Sequence, residues 1–169
     1  MVRKWLVAAL VAGSVSVGLS AHAERAPEFR LPGSTGDITL SQYQGKVVMV
    51  DFWASWCGPC RESFQWMNAM LDKYADKGLA IVAINLDQSR QDADDFLARN
   101  PAKFDIAFDS EGRTPEQYGV QGMPSAFLID AQGHSMTGHA GFHKARVTDY
   151  ENDIRKALGI DALTSPQKP

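Results

Sequence analysis

The sequence predicts an α/β domain built on a central mixed β-sheet with helices on both faces. Three patterns carry this. Two apolar runs rich in β-branched residues, 48–53 and 80–86, read as buried strands, and each leads into apolar residues at helical spacing. A third run, 122–130, meets 134–140 across a turn at Gly133, which reads as an antiparallel hairpin. A last helix follows. Strand–helix alternation closed by a hairpin and a helix implies parallel and antiparallel strands in one sheet, covered on both sides.

Taken in order, residues 24–45 are polar and turn-rich, with Pro27, Pro32, Gly33 and Gly36, and Asp37-Ile38-Thr39-Leu40 forms a short edge strand. Residues 48–53 are apolar, β-branched or aromatic throughout except for Asp51. The Gly58-Pro59 pair stops the strand and opens a helix, because proline suits a first-turn position whose N–H has no partner anyway. Phe64, Met67, Leu71 and Tyr74 form the stripe that faces the sheet, and Lys77-Gly78 is the C-cap signal. The strand at 80–86 ends at Asp87. Ser89 caps a short helix carrying Phe96 and Leu97, which stops before Asn100-Pro101. Residues 105–109 form a strand, Asp109-Ser110-Glu111-Gly112 a turn, and 116–118 a short helix. Pro124 opens the 122–130 strand, a position where proline is tolerated. Val147, Tyr150, Ile154 and Leu158 form the stripe of the final helix, which Gly159 ends.

The amino terminus carries Arg3 and Lys4, an apolar run over 5–19, then Ala21-His22-Ala23, the pattern of a secretory signal peptide cut after Ala23. As a helix that run spans about 22 Å, against about 30 Å of bilayer hydrocarbon. An uncleaved anchor is the alternative. No cysteine marks the cut site, which argues against a lipid-modified terminus. The expected organisation is a signal peptide at 1–23, one domain at 24–163 and a frayed tail at 164–169. Loss of Arg3 and Lys4, with no acid in that segment, takes the formal charge from −3 to −5. Such a mildly acidic surface argues against nucleic-acid binding. No second apolar stretch approaches membrane length, so no tight membrane insertion is expected after cleavage.

The chemistry lies in Trp56-Cys57-Gly58-Pro59-Cys60. Residues three apart share a helix face, so Cys57 and Cys60 can close a small disulfide. A helix N-terminus directs free N–H groups and a positive partial charge at Cys57, which favours the thiolate, the form that attacks disulfides. A purely structural staple is the competing reading. Closing so short a loop is worth only about 2 kcal/mol in the chain-entropy model. Zinc needs about four ligands, and one CxxC supplies two. Redox use is the stronger reading.

The pentapeptide is that of thioredoxin, and the chain is similar to the thioredoxin superfamily. Gly45-Lys46-Val47-Val48, Arg61-Glu62 and Tyr118-Gly119-Val120-Gln121-Gly122-Met123-Pro124 extend the similarity, over roughly residues 27–158, to its exported TlpA/ResA-like branch. The resemblance implies a thioredoxin-like fold with an inserted helix-strand segment. It also implies a buried catalytic aspartate at Asp51, and a cis-proline at Pro124 that faces the CxxC and turns the Met123 backbone outward for an extended partner peptide. Cys57 attacks and Cys60 resolves, with Asp51 as base. Trp56, Gly58, Pro59, Met123 and Pro124 form the substrate-binding surface, and Trp53 and Trp56 shield the site as a docking rim.

Three departures stand out. Ala83 occupies the position of thioredoxin's lysine, Gln65 replaces the helix-kinking proline, and Ser125 follows Pro124 where the cytochrome c maturation branch often has glutamate. Glu62 is a candidate partial electrostatic substitute. The resemblance implies a periplasmic, monomeric protein-disulfide reductase without cofactor. Its clients are proteins with disulfides, including cysteines awaiting haem or copper. Its electrons come from a membrane donor of the DsbD/CcdA kind. The Gly-Pro pair agrees, favouring a couple near about −270 mV, as in thioredoxin, over one near about −120 mV, as in DsbA. An oxidant of the DsbA kind is the reverse direction. A Sco-like copper metallochaperone using Cys57, Cys60 and one of His134, His139 or His143 is the alternative from another class, although Sco-like proteins use CxxxC. Peroxidase activity of the related peroxiredoxin fold lacks that family's threonine-and-cysteine pattern.

Overall fold

The computed structural model describes residues 24–160, so the expected signal peptide, residues 161–163 and the tail lie outside the described residues. The strands are β1 (Arg30–Pro32), β2 (Asp37–Thr39), β3 (Val47–Trp53), β4 (Leu79–Asn85), β5 (Asp105–Phe108), β6 (Ser125–Ile129) and β7 (Ser135–Ala140). The helices are α1 (Gly58–Tyr74), α2 (Arg90–Arg99), α3 (Arg113–Gln117) and α4 (Val147–Ala157). Five strands form one mixed sheet in the order β5-β4-β3-β6-β7. β3, β4 and β5 run parallel, and β6 and β7 run antiparallel to their neighbours. The stretch between β4 and β6 holds α2, β5 and α3, and β5 takes one edge of the sheet.

All seven residues of β3 and all seven of β4 are buried, which is why their sequences are near-continuous apolar runs rather than alternating ones. Their side chains divide between two cores. Val47, Met49 and Trp53 pack with Phe64, Met67 and Met70 of α1, Phe96 of α2 and Ile154 of α4. Val48, Val50 and Phe52 pack with Phe29, Ile38, Leu40, Tyr43 and Tyr118. Helices thus flank both faces unequally. Three long helices share one face, while the amino-terminal segment, a 3-10 turn at Leu40–Tyr43 and the end of α3 cover the other. The Tyr118 hydroxyl donates to the Pro27 carbonyl at 2.7 Å, tying that cover together.

Several details differ from the sequence reading. Arg30–Pro32 is a strand, pairing antiparallel with Asp37–Thr39, and Leu40 begins the 3-10 turn instead of ending a strand. On α1, Met70 is buried and Leu71 only half-buried, because 3.6 residues per turn carries the inner stripe through 60, 63, 67, 70 and 74. α1 itself stops at Tyr74, and the expected glycine ends the 3-10 turn Ala75–Lys77 that follows: Gly78 adopts a left-handed φ of 97°, a conformation open to glycine without steric penalty.

Candidate active site

The site grows from the carboxyl end of β3. After Trp53 the chain turns through Ala54, Ser55 and Trp56, and the Cys57 amide donates to the Ala54 carbonyl at 3.0 Å. Cys57 is the N-cap of α1, one residue outside the helix, not within its first turn; Pro59 occupies that first turn. Cys57 and Cys60 are joined by a disulfide with their Cα atoms 5.4 Å apart, and both are buried. Trp56 beside them is 73% exposed.

The loop before the cysteines is clamped from β4. Asp87 accepts hydrogen bonds from the Ser55 amide (2.9 Å) and hydroxyl (3.0 Å), and from the Asn85 side-chain amide (2.8 Å). The Leu86 amide donates to the Trp53 carbonyl at 2.9 Å. Asp87 was legible only as the end of a strand; nothing in its local sequence announces that it holds a loop 32 residues away.

Asp51 sits in the middle of β3, 1% exposed. It shares the face of Met49 and Trp53, and its cross-strand neighbours are Ala83 and Ala126. Ala83 therefore stands beside Asp51 on the neighbouring strand, and among the described residues no cation is paired with the carboxyl. Burial alone pushes the Asp51 carboxyl well above its ordinary range, and its Oδ2 has no hydrogen-bond partner among the described residues. A buried carboxyl that keeps its proton in this way is a candidate to take up and return a proton beside the cysteines.

The Met123–Pro124 bond is cis. Phe52 pairs with Ser125, so the next step along the ladder sets Pro124 beside the end of β3, where the cysteine loop departs. Met123 packs against the core cluster that contains both cysteines. Gly58 is exposed and Gly122 opens the turn into the cis bond.

One expectation is corrected. Trp53 is no part of a rim. It is fully buried between Phe64 and Phe96, each 4.8 Å away by ring centroid, because it lies on the face of β3 that α1 covers. Glu62 faces solvent and pairs with Lys144 at 2.9 Å. The histidines lie on the hairpin and beyond it. His134 Nδ1 is 3.4 Å from Asp130, and His139 Nε2 is 2.9 Å from Asp153. Among the described residues no group of three or more His, Cys, Asp or Glu side chains is placed to hold a metal ion.

A model of the AhpC/TSA family matches residues 23–134. The chain is 35% identical over 111 residues to the thiol-disulfide oxidoreductase ResA of Bacillus thuringiensis subsp. konkukian, covering 65% of this chain and 64% of that relative. With ResA of Bacillus subtilis it is 30% identical over 149 residues, covering 87% of this chain and 82% of the relative. Among solved structures, a Chlorobium tepidum protein described as a thiol:disulfide interchange protein DsbE matches with a TM-score of 0.80 and 53% identity. That match covers 81% of this chain and 97% of the other.

Proposed function

Because the chain belongs to the AhpC/TSA family, with a thioredoxin-like fold, we propose that it is a thiol-disulfide oxidoreductase that reduces disulfides of client proteins. The observation that carries this is the Cys57–Cys60 disulfide at the mouth of α1, with an orphaned buried carboxyl on the same face of the sheet. Its relatives bear the name thiol-disulfide oxidoreductase.

In the reduced protein the Cys57 thiolate attacks a client disulfide. A Cys57–client bond forms and one client sulfur leaves as a thiolate. Asp51, once it has given up its own proton, takes that of Cys60, and Cys60 attacks Cys57. The Cys57–Cys60 bond forms, the mixed disulfide breaks, and the client leaves reduced by two electrons. Trp56, Gly58 and Pro59 on one side, and Met123 and Pro124 on the other, make the surface the client meets, its backbone pairing beside Met123 as an added strand.

The domain is proposed to run over 24–163, exported by a signal peptide at 1–23 and acting in the periplasm as a monomer. Its electrons come from a membrane donor of the DsbD/CcdA kind, and its clients include proteins awaiting haem, as in cytochrome c maturation. Among the described residues no helix is long and apolar enough to cross a membrane. Equilibration of Cys57–Cys60 against glutathione and dithiothreitol buffers tests the direction. A potential near about −270 mV is expected, and one near about −120 mV makes the protein an oxidant.

A further inference from the structure

A cavity of about 30 Å³ lies on the α1–α4 face of the sheet, walled in part by Asp51, Ser63, Ala126, His139, Tyr150 and Asp153. The strand register explains it. Asp51 of β3 pairs with Ala126 of β6, and Ala126 pairs with His139 of β7, so the three side chains form one row on one face. With strands about 4.8 Å apart, β3 and β7 are about 10 Å from each other along this row. On the sheet the residue between carboxyl and imidazole is Ala126, whose side chain is a single methyl group. Ser63 on α1, with Tyr150 and Asp153 on α4, add the other polar side chains, while Met49, Trp66, Leu128, Phe142 and Ile154 make much of the rest of the wall apolar.

Two polar atoms of the wall are buried without a hydrogen-bond partner among the described residues: Asp51 Oδ2 and the Tyr150 hydroxyl. At its β7 side the mostly apolar cavity is bounded by a polar pair that reaches the surface. His139 Nε2 lies 2.9 Å from Asp153 Oδ2, and their side chains are 18% and 37% exposed. The His139 ring packs on Tyr150 at 4.6 Å between centroids. The volume suffices for one or two water molecules, at roughly 10–15 Å³ each, and Asp51 Oδ2 and the Tyr150 hydroxyl are the two unpaired groups that a water there would bond.

We propose that this row is the proton path of the buried base: water in the cavity joins Asp51 to His139, and His139, seated against Asp153, exchanges the proton with solvent at the β7 edge of the sheet. The inference rests on Asp51 serving as base in the exchange proposed above. Burial holds Asp51 as a neutral acid at rest, so it must lose its own proton before it can take that of Cys60, and with the client covering the cysteine side an outlet elsewhere is needed. The acid's proton passes through water to the imidazole, giving an imidazolium beside the Asp153 carboxylate. The imidazolium then releases it to solvent, which leaves a neutral imidazole and Asp51 as the carboxylate that can take the Cys60 proton. Only O–H and N–H bonds change, and no electrons move. The titratable groups facing His139 are Asp153 and Tyr150 from α4 and Asp51 from β3, while α1 contributes the uncharged Ser63 and Trp66. Arg146 lies over the Tyr150 ring, 5.3 Å from its centroid.

The test follows reduced protein mixed with Ellman's reagent in a stopped-flow instrument, below the pH at which Asp51 ionises. One thionitrobenzoate leaves when Cys57 attacks and a second when Cys60 resolves. In His139→Ala the first release keeps its rate, the second slows about tenfold, and added imidazole restores it. His139→Gln, which still donates to Asp153 but cannot carry a proton, stays slow, and Ala126→Leu, which fills the gap, slows the second release without responding to imidazole. A second release in His139→Ala that keeps the parental rate, or slows without recovering in imidazole, overturns the path. Asp51→Asn separates the two ideas. If it slows the second release and His139→Ala does not, the path alone fails; if neither slows it, Asp51 is not the base.

Discussion

Two aspartates are buried close to the cysteine loop, and they are held in opposite ways. Asp87 accepts three hydrogen bonds, two of them from Ser55, and spends its carboxylate on fixing the turn that leads to Cys57. Asp51 lies between two alanines, its Oδ2 unpartnered and its proton held by burial. The same functional group is scaffold in one place and a candidate acid–base in the other, and what differs is the neighbours. A bonded carboxylate gains nothing from a proton, whereas an orphaned one is destabilised without it.

Replacing Asp51 tests this contrast most severely, because activity and stability are expected to move in opposite directions. Asp51→Asn should slow the resolving step about a hundredfold, the usual scale for loss of a general base. The same variant should melt higher at neutral pH. A carboxyl whose proton is held more tightly in the folded chain than in the unfolded one has its full stability only below the unfolded pKa. It loses stability as pH rises toward the folded value. Thermal melts from pH 4 to pH 8 should therefore show the variant's advantage growing with pH. An advantage absent at pH 8 would mean that Asp51 finds a partner in solution.

Asp87→Ala should do the reverse and cost stability. It leaves the Ser55 amide and the Asn85 side chain without their acceptor, a loss of about 2–3 kcal/mol, to be read as a lower urea midpoint at unchanged m-value. The Asp51→Asn and Asp87→Ala effects on stability then have opposite signs. Two losses of like size would erase the distinction between them.

The contrast was half visible in the sequence. β3 and β4 are legible because strands buried on both faces admit almost nothing but apolar residues, which made Asp51 conspicuous. Trp53 was misplaced for want of the same argument carried two residues further. Period-two alternation puts Trp53 on the face of Asp51, beneath α1, where no rim can be. The row from Asp51 to His139 could not be read, since it depends on two strand registers, one of them shifted by an irregularity between Leu128 and Ile129. β1 is three residues long and ends in proline, too short for any periodicity to show.

Glu62 supplies the smallest expected effect. From sequence it was a candidate to replace part of the electrostatic influence that lysine exerts in thioredoxin. In the structure it meets Lys144 on the surface, where the two side chains are 48% and 75% exposed. An ion pair so open to water contributes about 0–1 kcal/mol and is screened by salt. Glu62→Gln should therefore leave the resolving rate within about twofold and the melting temperature nearly unchanged, with any difference fading as salt is added. A pH profile displaced in this variant by as much as in Asp51→Asn would show that the carboxylate at the start of α1 reaches the cysteines after all. The acid–base work would then be shared between a surface group and a buried one, rather than resting on the carboxyl that burial has left without a partner.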